Sequence, residues 1–184
     1  MANKHSITDF IKAFAGGSRT NRFRITGTIG DGTIMGDKGG TFLIRATTLP
    51  ASQVGGIPVN YRGRTVIYPG DRAYAPWQIA VLDDPKGHNL YKSFHNWSNQ
   101  INKHADNSTT QTNPSKHFSG EGGGALWTVE HLETDASRVL RTFKLHNCWP
   151  AVVGPIELDM GQDNLLATFP VTIVYSHYEI THST

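Results

Sequence analysis

The chain has 184 residues, 38% of them hydrophobic, which is enough for one domain with a modest core, or one that completes its burial by association. Nineteen glycines and nine prolines point to many turns and short strands, while a net charge of +2 excludes an obvious nucleic-acid binder. One cysteine, Cys148, excludes an intrachain disulfide, and a mean hydropathy of −0.37 without any long apolar run excludes a membrane-spanning helix.

Met1 to Ser6 leads into a polar, amphipathic stretch and lacks the apolar core of a signal peptide. Synthesis and retention in a cytoplasm is the expectation, so the sequon Asn107-Ser108-Thr109 carries no glycosylation meaning. Ser6, with Asp9 three residues on, reads as the N-cap of a short helix through Phe14. Ile7, Phe10, Ile11 and Phe14 give that helix an apolar face, and Gly16-Gly17 ends it. Phe23, Ile25 and Ile29 then alternate with polar residues as a strand, and Thr41 to Thr47 reads as a second. The two are expected to pair as a long hairpin whose extended tip is residues 27–40.

Leu49 to Pro58 reads as irregular, because Pro50 and Pro58 each restrict the residue before them. Arg64 to Tyr68 and Trp77 to Leu82 read as strands, with Pro69-Gly70-Asp71 as the turn between. Asn89 to Ile101 is the strongest helix: Leu90, Phe94, Trp97 and Ile101 form one stripe to lay on a sheet. Asn102 to Gly124 is a long polar loop, with little apolar content beyond Ala105 and Phe118. Strands return at Leu126 to Leu132, Val139 to Leu145, Pro155 to Leu158 and Thr168 to Ile180. The expected fold is a single mainly β domain over residues 1–184, with one packed α-helix and no internal repeat.

Chemistry is sparse. The nine histidines (5, 88, 95, 104, 117, 131, 146, 177 and 182) show no metal-ligand spacing, so scattered surface imidazoles and no metal site are expected. Gly30-Asp31-Gly32 and Gly120 to Gly124 lack the Gly-Lys-Ser/Thr ending of a phosphate cradle. Asp83-Asp84 and the Glu157/Asp159 pair have no nucleophile nearby, and no G-x-S-x-G elbow occurs. Cys148, beside Trp149, reads as a small buried apolar residue. Trp77, Trp97, Trp127 and Trp149 read as core or interface residues rather than bases for nucleic-acid stacking. No catalytic, cofactor-binding or metal residue is expected, and the chain is not read as an enzyme. Charge is uneven: residues 1–92 carry 12 Lys/Arg against 6 Asp/Glu, residues 93–184 carry 5 against 9. That is either an accident of where the chain is divided or a sign of complementary faces for head-to-tail association.

Two blocks carry a resemblance to a known family. One is Leu49-Pro50-Ala51-Ser52-Gln53-Val54-Gly55-Gly56-Ile57-Pro58-Val59, followed by Gly70-Asp71-Arg72 and Trp77 to Asp84. The other is Cys148-Trp149-Pro150-Ala151-Val152-Val153-Gly154-Pro155, followed by Thr168 to Ile173. Together, over residues 20–101 and 138–180, they resemble the tail tube proteins of contractile-tailed bacteriophages.

The resemblance implies an antiparallel β-sandwich or half-open barrel flanked by a helix. It implies hexameric rings whose inner strands make a continuous barrel, stacked as a hollow tube inside a contractile sheath. The implied partners are other copies of the chain, the tail sheath protein, baseplate and tail terminator proteins, and genomic DNA passing through without sequence-specific binding. No membrane insertion and no cofactor are implied, and the location would be the virion tail after assembly in the host cytoplasm. A family lumen is lined by negative charge, which keeps DNA from sticking; Glu130, Glu133, Glu157 and Asp159 are the candidates here.

The 27–40 tip and the 102–124 loop look longer than the family pattern. The hairpin at Phe23–Thr47 and that loop are the expected inter-subunit and inter-ring contacts. Rival readings are a tube-initiating baseplate protein or effector-carrying ring of a contractile secretion system. A monomeric carbohydrate-binding β-sandwich using Tyr61, Tyr68 and Tyr74 is a further rival. Deleting Lys103–Glu121 is expected to leave a folded monomer that no longer makes long tubes; undiminished tube length by electron microscopy would refute this.

Overall fold

The computed structural model describes residues 6–14, 17–29, 40–108 and 125–182. Its spine is a strand of fifteen residues, β7 (Val139–Val153). Antiparallel to β7 run β8 (Thr168–Val174) and β9 (His177–His182), one after the other: β9 pairs with its first half and β8 with its second. The line of β8 and β9 is therefore nearly the single strand expected over Thr168 to Ile180, broken by a kink. There Asn147 takes a positive φ of 57°, and the Ser176 amide donates to the His146 carbonyl at 2.9 Å.

The sheet grows from opposite sides of this ribbon. On the β7 side lie β6 (Ala125–Leu132) and then β1 (Phe23–Gly27). On the β8 side lie β5 (Trp77–Leu82) and then β2 (Ile44–Thr47), which follows a 3-10 turn at Gly40–Leu43. The order β1-β6-β7-β8-β5-β2, with β9 on β7, is an antiparallel half-open barrel. Its two edge strands, β1 and β2, line one cleft of about 950 Å³. The expected Phe23–Thr47 hairpin does not form, because β1 and β2 each find a different partner from far along the chain. Of the expected 27–40 tip, Gly27 closes β1 and Ile29 is fully buried; residues 30–39 lie outside the described residues.

Period-two alternation explains the core. Ile25, Trp127, Val129, Phe143, Leu145, Phe169, Val171, Ile173, Trp77, Ile79 and Val81 all point inward and are buried. Over them lies α2 (Leu90–Ile101), with Leu90, Phe94 and Trp97 of its stripe buried. Asn89 caps it, its side-chain oxygen accepting from the Lys92 amide at 3.3 Å. Phe94 meets Trp127 and Phe169, while Trp77 packs edge-on against Trp127 at 5.8 Å. Both indoles keep a partner: Trp77 Nε1 donates to Thr48 O at 2.7 Å and Trp127 Nε1 to Thr28 O at 3.2 Å.

Three further expectations change. Residues 52–58 are not irregular: they belong to β3 (Ser52–Tyr61), which pairs with β4 (Arg64–Tyr74) as a separate hairpin. Pro69-Gly70-Asp71 lies inside β4, opposite the register shift between Val54 and Gly56, so those residues make a bulge and not a turn. Proline is tolerated because, among the described residues, each strand of this hairpin has one neighbour in the ladder. Pro155 to Leu158 is not a strand, because the ladder ends at Gly154, whose amide donates to Pro170 O at 2.7 Å, and Pro155 has no N–H to continue it.

Gly27 shows how tightly the inner face is filled. A Cβ there would come within 2.3 Å of the Trp127 indole. Gly27→Ala is expected to destabilise the folded chain by about 1–3 kcal/mol, through the overpacking it forces. Urea unfolding of the purified protein would measure this, and an unchanged midpoint would contradict it.

Candidate assembly surfaces

The β3–β4 hairpin is an arm whose apolar side chains stay about half exposed among the described residues. Its tip is a two-residue turn with Arg62 and Gly63 both at positive φ, 47° and 79°, which suits the right-handed twist of paired strands. Register sets Ile57 opposite Tyr68 and Val59 opposite Val66, on one face of the ribbon. These four side chains remain 46–56% exposed. Covering what is left would contribute on the order of 1 kcal/mol each. An isolated hairpin of this length is marginal in water. Its root is therefore tied down: Tyr178 Oη donates to Ser52 Oγ at 3.1 Å, and Arg72 donates to the same oxygen at 2.8 Å. Tyr74 packs there against Tyr175 and Tyr178. Tyr74 thus belongs to the arm's root, while Tyr61 and Tyr68 lie along its exposed length. The three do not form one sugar-stacking platform.

Charge divides in a similar way. Arg62 and Arg64 make the arm's tip basic, with the Arg62 guanidinium 5.3 Å from the Tyr61 ring centre. The segment after β7, residues 154–167, carries Glu157, Asp159 and Asp163 and no Lys or Arg. It also exposes Leu158, Met160, Leu165 and Leu166. A third uncovered apolar surface is α1 (Ile7–Ala13), capped by Ser6 as expected, with Ile7, Phe10, Ile11 and the following Phe14 all exposed.

The four candidate lumen acids are not brought together. Glu130 lies across the ladder from Arg24 and is bound by it, Nε to Oε2 at 2.6 Å. Glu133 lies in the β6–β7 turn, and Glu157 and Asp159 lie beyond β7. Asp159 Oδ1 accepts the Gly161 amide at 2.8 Å, which fixes a local turn. Asp84 does likewise for the Gly87 amide at 2.9 Å, so one carboxylate of each acidic pair is engaged in a local turn. Of the 102–124 loop, residues 109–124 lie outside the described residues, as do both glycine-rich stretches beyond residue 29. Trp77, Trp97 and Trp127 are core residues.

One convergence was not legible from spacing. Among the described residues, His146, His177 and Glu179 form the one group of three metal-capable side chains, their ligand atoms all within 4.8 Å of one another. His146 and His177 stack with ring centres 4.6 Å apart. The period-two pair His177/Glu179 was the available signal; its partner His146 enters only through strand register.

A model of the phage tail tube protein family matches residues 21–181. The tail tube protein gp19 of Enterobacteria phage T4 is 28% identical over 175 residues, covering 94% of this chain and 99% of that protein. The tail tube protein of Serratia phage KSP90 is 25% identical over 177 residues, covering 95% of each. Among solved structures, a chain of the six-fold symmetrised baseplate of the anti-feeding prophage superposes with a TM-score of 0.66 at 11% identity. That match covers 91% of this chain and 97% of the other. A chain of the extended sheath–tube complex of an extracellular contractile injection system superposes with a TM-score of 0.60 at 15% identity, covering 97% and 99%. At these identities the structural likeness speaks for the fold alone.

Inside the body the one thiol is inert. Cys148 is fully buried and its Sγ donates to Leu145 O at 3.4 Å. Burial pushes its pKa from 9.0 up to about 12, which leaves no thiolate to act as a nucleophile. Because the folded value lies above the unfolded one, the stability held by the neutral thiol is complete below pH 9 and is lost as pH rises through about 12. Unfolding free energy measured against pH is expected to fall over that window, with Cys148→Ala removing part of the fall. An identical pH dependence in the variant would contradict the assignment.

Proposed function

We propose that this chain, which belongs to the phage tail tube protein family, is the subunit of a contractile-tail tube: six copies close a ring, and rings stack into a hollow conduit for DNA. The observation that carries this reading is the arm's uncovered apolar face, Ile57, Val59, Val66 and Tyr68, on a hairpin too slight to stand alone. A second copy is the economical cover for it, since head-to-tail contact satisfies every copy in a closed ring or a growing stack. The half-open barrel adds to the case. Among the described residues, strands β1 and β2 leave edges that a neighbour can pair, and pairing turns an aggregation hazard into a selective joint.

The sheath protein, the baseplate and the tube terminator are the further partners. Solved structures of similar fold come from a baseplate, a sheath–tube complex and a sheath/tube terminator. DNA would pass through the bore without being read. With Glu130 bound by Arg24, the bore's negative charge would have to come from other acids. The working part is a polymerising surface, and no step of catalysis is assigned. The mature location is the virion tail, reached after assembly in the host cytoplasm.

Charge supports the direction of contact. The basic tip at Arg62 and Arg64 suits the acidic, apolar-studded segment 154–167 of the next copy. Negative-stain electron microscopy across a concentration series tests the reading. Stacked rings or tubes are expected from the native chain, single rings would indicate a tube-initiating baseplate role, and monomers at every concentration would overturn it. The double variant Arg62→Glu/Arg64→Glu is expected to stay folded and lose tubes, and adding Glu157→Lys/Asp163→Lys is expected to restore them. Tubes of normal length from the arginine variant alone would refute the proposed contact.

A further inference from the structure

We infer that His146, His177 and Glu179 are a binding site for a divalent transition-metal cation of the zinc type. The argument starts from strand register. His146 of β7 lies directly opposite His177 of β9, and Glu179 follows His177 by two residues, so all three project from one face of the ribbon. His146 Nε2 lies 3.8 Å from Glu179 Oε1, and the three ligand atoms lie within 4.8 Å of one another. A zinc-type ion at bond lengths of about 2.0–2.2 Å asks for tetrahedral ligand separations of roughly 3.4 Å. The cluster is thus within about 1–1.5 Å of closing on an ion.

One feature of the cluster calls for a partner. The Nε2 atom of His146 is shut off from solvent and has no hydrogen-bond partner. A bound cation would satisfy it. The rings are parallel to within 4°, and one ion cannot lie in the planes of both, so binding has to open the stack. His177 and Glu179 are exposed on a strand that, among the described residues, pairs with β7 alone, so they are the side chains that turn. His146 stays fixed at the kink, where its carbonyl holds the Ser176 amide and Asn147 Nδ2 donates to Ser176 Oγ at 3.1 Å.

Two imidazoles and one carboxylate favour zinc, nickel or copper over magnesium or calcium, which take oxygen ligands. Lys144 lies across the ladder from Glu179, and a cation at that position disfavours a second one on the carboxylate, which makes Glu179 the weakest of the three ligands. A bound ion would clip β9 to β7 and stabilise the fold by mass action. This site does not depend on the tube reading, because every ligand comes from one chain.

The test is calorimetric titration of the 184-residue chain with zinc chloride, together with melting in zinc and in magnesium. One equivalent is expected to bind in the micromolar range and to raise the melting temperature, while magnesium leaves it unchanged. His177→Ala is expected to lose roughly tenfold or more in zinc affinity, and Glu179→Gln, which leaves both rings in place, to lose less. Circular dichroism would verify that both variants, changed at exposed positions, remain folded. Absence of saturable zinc binding in the native chain would overturn the proposal. Native-like affinity in both variants would overturn it too, by assigning the zinc to other histidines.

Discussion

Strand β7 must satisfy two sets of neighbours along its fifteen residues, and the rest of the fold follows from how it does so. Its first half is flanked by β6 and β9, and its second half pairs with β8 after the break at Asn147. A straight strand could not serve both, since the twist that keeps β6 in register would carry β8 away. The left-handed residue at 147 and the register shift at Pro150/Val152 absorb the mismatch. Because the sheet then grows from opposite sides of the ribbon, it curls. Its far edges β1 and β2 come to line a common cleft, and its inner face closes over Trp77, Trp127, Phe94 and Phe169.

What that curled body buries and what it leaves out are separated by location. Inward positions of the main sheet are nearly dry, while the uncovered apolar residues gather on α1, on the arm and on the segment after β7. Surface apolar residues scattered singly need no explanation. Here Ile57, Val59, Val66 and Tyr68 fall on one face of a hairpin, with Ile67 exposed on the other, and its root is clamped by Ser52, Arg72 and a tyrosine cluster. An anchored element with an uncovered face is suited to insertion into a partner, since the ordering cost of the arm has been met before contact. In the proposed tube the link from structure to function lies in the arm, which the barrel holds out.

Much of this was legible in the sequence where one local signal dominated. The stripe Leu90, Phe94, Trp97, Ile101 specified a helix and its buried face, because helix periodicity is a local property. Alternation in Trp77 to Leu82 and Leu126 to Leu132 specified strands for the same reason. The arm was misread because proline and glycine ordinarily punctuate strands, and Pro58, Pro69 and Gly70 are tolerated only where a strand has one neighbour. Pairing was the least legible feature. Nothing local in Phe23 to Gly27 says that its partner lies a hundred residues on, in β6 rather than in β2. The cluster of His146, His177 and Glu179 was hidden likewise, since it exists only through the β7–β9 register.

The most direct test of the account is a cryo-electron microscopy structure of the assembled protein, read at the arm. The account predicts that Ile57, Val59, Val66 and Tyr68, about half exposed in the single chain, become buried against the neighbouring copy. An assembled tube in which this face still points into solvent would contradict it, and would move the polymerising contact to α1 or the segment after β7.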